Sequence, residues 1–248
     1  MSRFFMTDMP PLARAYVASV IVAAAAVWGL SLPPALESPG LLVVLLIVAA
    51  VSAVLKVRLP IERTGLTMSV SFVAIFMGVL LLDPASAMAV AAASAWAQCS
   101  LFRKEEYPAY RTVFSIASVM LATAGAGVVF TGLGGTPALD PAPAMAVPVV
   151  AAGTTFFLLN SWLVGGAIAL ATGGRLQTLW SNGILWSAPG YVAGSLVSAG
   201  LALLVINDGA LVALMLAVPA YVNFRIYQLV VARMALARER ETYLKRAA

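Results

Sequence analysis

The chain has 248 residues, 62% of them hydrophobic and only 10% charged, with a net charge of +5 and a mean hydropathy of +0.98. A soluble globular domain carries roughly 25% charged residues, so this composition excludes one. The absence of His and the single Cys, Cys99, exclude histidine acid–base chemistry, a His-held haem and an internal disulfide.

The apolar residues come in long blocks that do not alternate with polar ones. A bilayer core of about 30 Å needs about 20 helical residues to cross it, and a barrel would need alternation. The fold class expected is all-α: a polytopic integral membrane helix bundle of about eight transmembrane helices. In chain order they fall at residues 13–32, 41–55, 66–82, 85–102, 110–130, 144–171, 184–206 and 210–231. Pro33-Pro34, Asp83-Pro84 and Asn207-Asp208-Gly209 make tight turns between them, and "TGLGGTPALDPAP" makes the longest loop. Residues 1–230 read as the bundle and residues 231–248 as a charged helix beyond it.

Charge placement sets the orientation. Alternating spans from an inner N-terminus put Arg3, Arg14, Lys56, Arg58, Arg63, Arg103, Lys104, Arg111, Arg175, Arg225 and the basic tail on one side. The other side then holds only Glu37, Asp83, Asp140 and Asp208. This is the positive-inside distribution, and it places both termini in the cytoplasm, with the bundle in a bacterial inner membrane. The net charge then speaks for contact with the lipid bilayer and its anionic inner leaflet, not for a nucleic acid partner.

Few polar residues fall within the spans. Asn160, in "TTFFLLNSWLVGG", is the most conspicuous. An unpaired amide in hydrocarbon is costly, so it needs a partner. One reading is an interhelical hydrogen bond; the other is a polar contact for a small apolar ligand, with Phe157 and Trp162 beside it and Trp186 and Tyr191 on the next span. Trp162 and Trp186 also read as interfacial anchors. Gly190, Gly194 and Ser198 recur every four residues on the seventh span, and Ala85, Ala89, Ala93 and Ala97 on the fourth. Such rows let helices approach closely. Pro189 offers either a hinge or a static kink in the seventh span. No carboxylate pair, nucleophile set, metal cluster or cofactor motif is present, so no catalysis is expected within this chain.

The tail "VARMALARERETYLKRAA" begins at Val231. Leu229, Leu236 and Tyr243 are seven apart, and Val230, Ala237 and Leu244 form a neighbouring row. That spacing starts a coiled-coil stripe and suits a homodimer through the tail. The alternative is a basic amphipathic helix lying on the inner leaflet.

Four stretches carry a family resemblance: "LPIERTGLTMSVSFVAIFMGVLLLDPASAMAVAAASAW", "LLNSWLVGGAIALATGG", "LWSAPGYVAGS", and "VPAYVNFRIYQLVVARM" with the following "ARERE". They resemble the N-terminal polytopic membrane regions of bacterial signalling proteins of the HD-GYP, GGDEF and sensor-kinase type. The resemblance implies a sensory input domain that acts through the last helix on a cytoplasmic output module, of cyclic di-GMP or kinase type, outside this chain. The competing expectation is a small-solute permease, or a substrate-binding membrane subunit of an uptake system, built around Asn160.

Overall fold

Helix starts and stops follow from prolines and glycines placed where the backbone hydrogen-bond ladder begins or ends. The computed structural model describes residues 9–33, 35–54, 71–100, 108–136, 145–174 and 187–208. These form seven helices: α1 Pro11–Leu30, α2 Pro39–Val54, α3 Ser71–Leu81, α4 Pro84–Ser100, α5 Ala109–Gly132, α6 Ala146–Thr172 and α7 Ala188–Asp208. Among the described residues there is no strand. Four of the helices, α1, α5, α6 and α7, are long and apolar enough to cross a membrane. The expected eighth span, the tail with Leu229, Leu236 and Tyr243, and Trp186 lie outside the described residues.

Proline opens α1, α2 and α4 at a position where its missing N–H has no helical acceptor in any case. Between α3 and α4, the Asp83 carboxylate accepts the Ser86 N–H at 2.9 Å, and Pro84 supplies the first helical residue. This is an N-cap that turns the chain within two residues. α5 ends in a glycine turn: Gly134 has φ +86°, and the Gly135 N–H donates to the Phe130 carbonyl at 2.8 Å. Gly173, at φ +69°, closes α6 in the left-handed conformation that spares glycine a Cβ clash. Pro189 is the second residue of α7, so it begins this helix and does not hinge its interior.

α3 is the most enclosed element. Nine of its eleven residues are buried, and α2, α4, α5 and α7 pack around it. α1 lies against α5 and α6, and α7 against α6 and α3. The main core joins Phe72, Ile75, Phe76 and Leu80 of α3 to small residues of its neighbours, among them Ala91, Ala122, Ala126 and Ala152. Large-into-small packing of this kind brings helix axes close, which is what holds helices together where burial from water does not. Gly78 shows it: a Cβ there would sit 3.5 Å from the Ala87 Cα.

Polar side chains tie helix pairs to backbone carbonyls or to each other. The Tyr16 hydroxyl donates to the Leu163 carbonyl at 3.2 Å, linking α1 to α6. The Trp28 Nε1 donates to the Ala85 carbonyl at 3.1 Å, linking α1 to α4. Gln98 Nε2 donates to Ser71 Oγ at 3.1 Å, linking α4 to α3.

The expected packing row on α4 is uneven: Ala85 and Ala97 are buried, whereas Ala89 and Ala93 are only half-buried and share a side of the helix with Trp96, which is 51% exposed. The covered line is Ala87, Ala91 and Ser94, on the opposite side. α4 is alanine or serine at most positions, so four-residue spacing of small residues carries no direction. On α7 Gly190 is half-buried, whereas Gly194 and Ser198 are buried. Ser198 Oγ lies 2.7 Å from the Gly194 carbonyl and 3.2 Å from the Val73 carbonyl of α3.

Candidate functional site

The seam between α6 and α7 gathers an amide, a phenol and a cluster of aromatic rings. On α6, Gly153, Phe156, Phe157 and Asn160 recur at helical spacing and so share one face. On α7, Tyr191, Gly194, Ser195, Ser198 and Ala202 do the same. The faces meet closely because Gly153 has no side chain: a Cβ there would stand 2.7 Å from both the Cβ and the Oγ of Ser195. Ser195 is itself fixed, its Oγ donating to the Val192 carbonyl at 2.8 Å.

Close approach at Gly153 brings the rings together. Tyr191 is their hub. Its centroid lies 4.8 Å from Phe72 of α3 at 69°, near the edge-to-face geometry that aromatic quadrupoles favour. It lies 5.3 Å from Phe157 and 6.0 Å from Phe156. Phe72 also meets Phe156 at 5.0 Å and Phe76 at 5.4 Å. Three helices therefore share one aromatic cluster.

Asn160 closes this cluster on the α6 side. Its side chain lies beside Tyr191, and its Oδ1 is buried with no hydrogen-bond partner. Asn160 is fourteen residues into a 27-residue helix, about 21 Å along it at 1.5 Å per residue, near mid-depth. The ionisable groups that carry charge among the described residues are Arg14, Glu37, Asp83, Arg111 and Asp208, all in turns or near helix ends. None belongs to the cluster. The arrangement joins α6, α7 and α3 through packed rings and one amide.

Of the residues expected to line a ligand site, the structure brings Asn160, Phe157 and Tyr191 together. Trp162 is 57% exposed, and Trp186 lies outside the described residues. Phe72 was not expected. It sits in the uniformly apolar run "SFVAIFMGVLL", where no polar mark distinguishes one phenylalanine from another. A second orphaned acceptor, Ser94 Oγ, lies on the covered side of α4.

Comparison with protein families gives a match of the MASE9 family model to residues 38–231. The match takes in α2 to α7, leaves α1 outside, and ends where the charged tail begins. No curated protein and no solved structure matches the chain.

Proposed function

Because the chain belongs to the MASE9 family of membrane-associated sensor domains, we propose that it is the input domain of a bacterial inner-membrane signalling protein. It crosses the membrane eight times, with both termini in the cytoplasm. A small apolar ligand or a change in the bilayer shifts α6 against α7. The last span carries that shift into the tail, and the tail into a cytoplasmic output module of cyclic-dinucleotide or kinase type. Catalysis belongs to that module, not to these helices.

The observation that carries this reading is the family match across the bundle. Three further features support it. The positive-inside charge pattern has no exception along the sequence and sends the tail inward. The α6–α7 seam places Asn160, whose Oδ1 is buried without a partner, beside Tyr191 near mid-depth, and an amide there is costly to leave unpaired. The tail carries a heptad stripe suited to a parallel helix pair.

The test is the intact mass of the native gene product taken from its own membranes. The reading predicts a mass well above the 25.7 kDa of this chain, accounted for by an output domain after the tail. A mass equal to 25.7 kDa would remove the attached output module. Uptake of a labelled solute by vesicles, lost in Asn160→Leu, would then bring the permease reading forward.

A further inference from the structure

We propose that α1 is a strap over the C-terminal half of α6, latched by the hydrogen bond from Tyr16 to Leu163, and that this latch opens when α6 moves to drive the tail. This deepens the reading of the chain as a sensor and rests on it for the effect on the tail, though not for the latch itself.

α1 stands apart from the rest of the bundle. The family match begins at residue 38, after α1 has ended. The main core draws on other helices, while Val17, Val20 and Ala24 of α1 form a separate cluster with Phe114 and Ala117 of α5. Leu163, Val164 and Ala167 of α6 pack against that cluster. The buried residues of α1, which are Ala13, Val17, Val20 and Ala24, recur every three or four positions and so form one narrow stripe. Two polar ties lie about 18 Å apart along the helix. Tyr16 reaches the Leu163 carbonyl of α6, and Trp28 reaches the Ala85 carbonyl of α4. Both α4 and α6 pack on α5, so α1 bridges two of the helices around it.

The Tyr16 tie is close and is undone without stranding a polar atom. The hydroxyl reaches the α6 backbone because residue 166 is glycine: a Cβ there would stand 2.9 Å from the hydroxyl oxygen and 3.2 Å from the ring carbon that bears it. Leu163 lies inside α6, where its carbonyl also accepts the helical N–H four residues on. Losing Tyr16 therefore leaves that acceptor satisfied. Tyr16 itself is half-buried and about 8 Å from the start of α1. A polar tip on an apolar body at that depth can turn to interfacial water. The N-terminal half of α6 is held differently, by Gly153 interlocked with Ser195. That contact is steric and has no bond to release, so movement of α6 begins at the latched half.

The test uses the full chain and two variants: Tyr16→Phe, which removes only the hydroxyl, and Gly166→Ala, which displaces it. Thermal unfolding in detergent reads the latch. Each single variant should lower the midpoint by about 2–4 °C. The double variant should lose no more than the worse single variant, because both changes break one bond. Losses that add would overturn the latch. Cysteine cross-linking in native membranes, in chains with Cys99 replaced by alanine, reads the tail. Tyr16→Phe should change the ratio of cross-linking between the row of Leu229, Leu236 and Tyr243 and the row of Val230, Ala237 and Leu244 by about fivefold, the population change that one neutral hydrogen bond commands. A ratio unchanged by Tyr16→Phe but changed by Gly153→Ala would overturn the strap and leave the sensor reading standing. A ratio that neither variant changes would overturn both. If Gly166→Ala does not fold, the tail measurement on Tyr16→Phe decides alone.

Discussion

Gly153→Val is expected to separate α6 from α7 and to lower the stability of the bundle by about 1–3 kcal/mol, the usual cost of overfilling a packed site. The methyl groups have nowhere to go. Even the first carbon would lie 2.7 Å from two atoms of Ser195 and 3.6 Å from the Tyr191 carbonyl. Ser195 cannot swing aside, since its Cβ is fixed by the helix and its hydroxyl is bonded within α7. In a bilayer the helices are held by contact and hydrogen bonds, with little hydrophobic drive to re-close a gap. The smaller Gly153→Ala should show the same defect more mildly. Ser195→Gly removes both clashing atoms and should restore the stability of the alanine variant. Thermal unfolding in detergent of the two single variants and the double variant measures this coupling. Additive losses, with no recovery in the double variant, would show that the seam does not close at Gly153.

The second large effect belongs to the tail. Replacing Leu229 and Leu236 together by asparagine is expected to abolish tail pairing and reduce downstream output at least tenfold. A leucine side chain fully buried between helices contributes about 1.5–3 kcal/mol, and the change falls on both helices of a pair. The stripe is only two heptads long, shorter than the three or four that make a coiled coil self-sufficient, so it has no reserve. Cross-linking through Tyr243→Cys, in a chain with Cys99 replaced by alanine, reads pairing directly. Undiminished cross-linking and output in the double asparagine variant would show that the tail works without this stripe, as a helix lying on the inner leaflet would.

Much of the helix layout was legible from the sequence, because apolar blocks, prolines and glycines act locally. α5 was expected at residues 110–130 and spans Ala109–Gly132; α6 was expected at 144–171 and spans Ala146–Thr172. Asp83-Pro84 announced its turn because an acceptor side chain before a proline is an N-cap in any context. Which face of a helix is covered was less legible. In a soluble protein polar residues mark the outside, but lipid is as apolar as the core. α4 therefore reads as small all round, and of the row Ala85, Ala89, Ala93 and Ala97 only the two ends are buried, with exposed Trp96 marking the side of the middle two.

The seam shows the same limit from the other direction. Asn160 stood out because it is polar, and Tyr191 because it carries a hydroxyl. Their meeting, and that of Tyr191 with Phe157, depends on Gly153 and Ser195, which as isolated small residues say nothing about a partner. Phe72 joins the cluster because α3 packs against α7 and brings its ring to Tyr191 and Phe156. That arrangement comes from tertiary packing and has no local sequence signal.

The most direct test of the account is a cysteine cross-linking scan of the tail in native membranes, with the seam intact and with the seam opened by Gly153→Ala. Two rows are compared: positions 229, 236 and 243, and positions 230, 237 and 244, which lie about 100° apart around a helix. If the α6–α7 seam governs the tail, opening the seam transfers cross-linking from one row to the other. The same row, cross-linking with the same efficiency in both chains, would mean that the seam and the tail are uncoupled and would contradict the account.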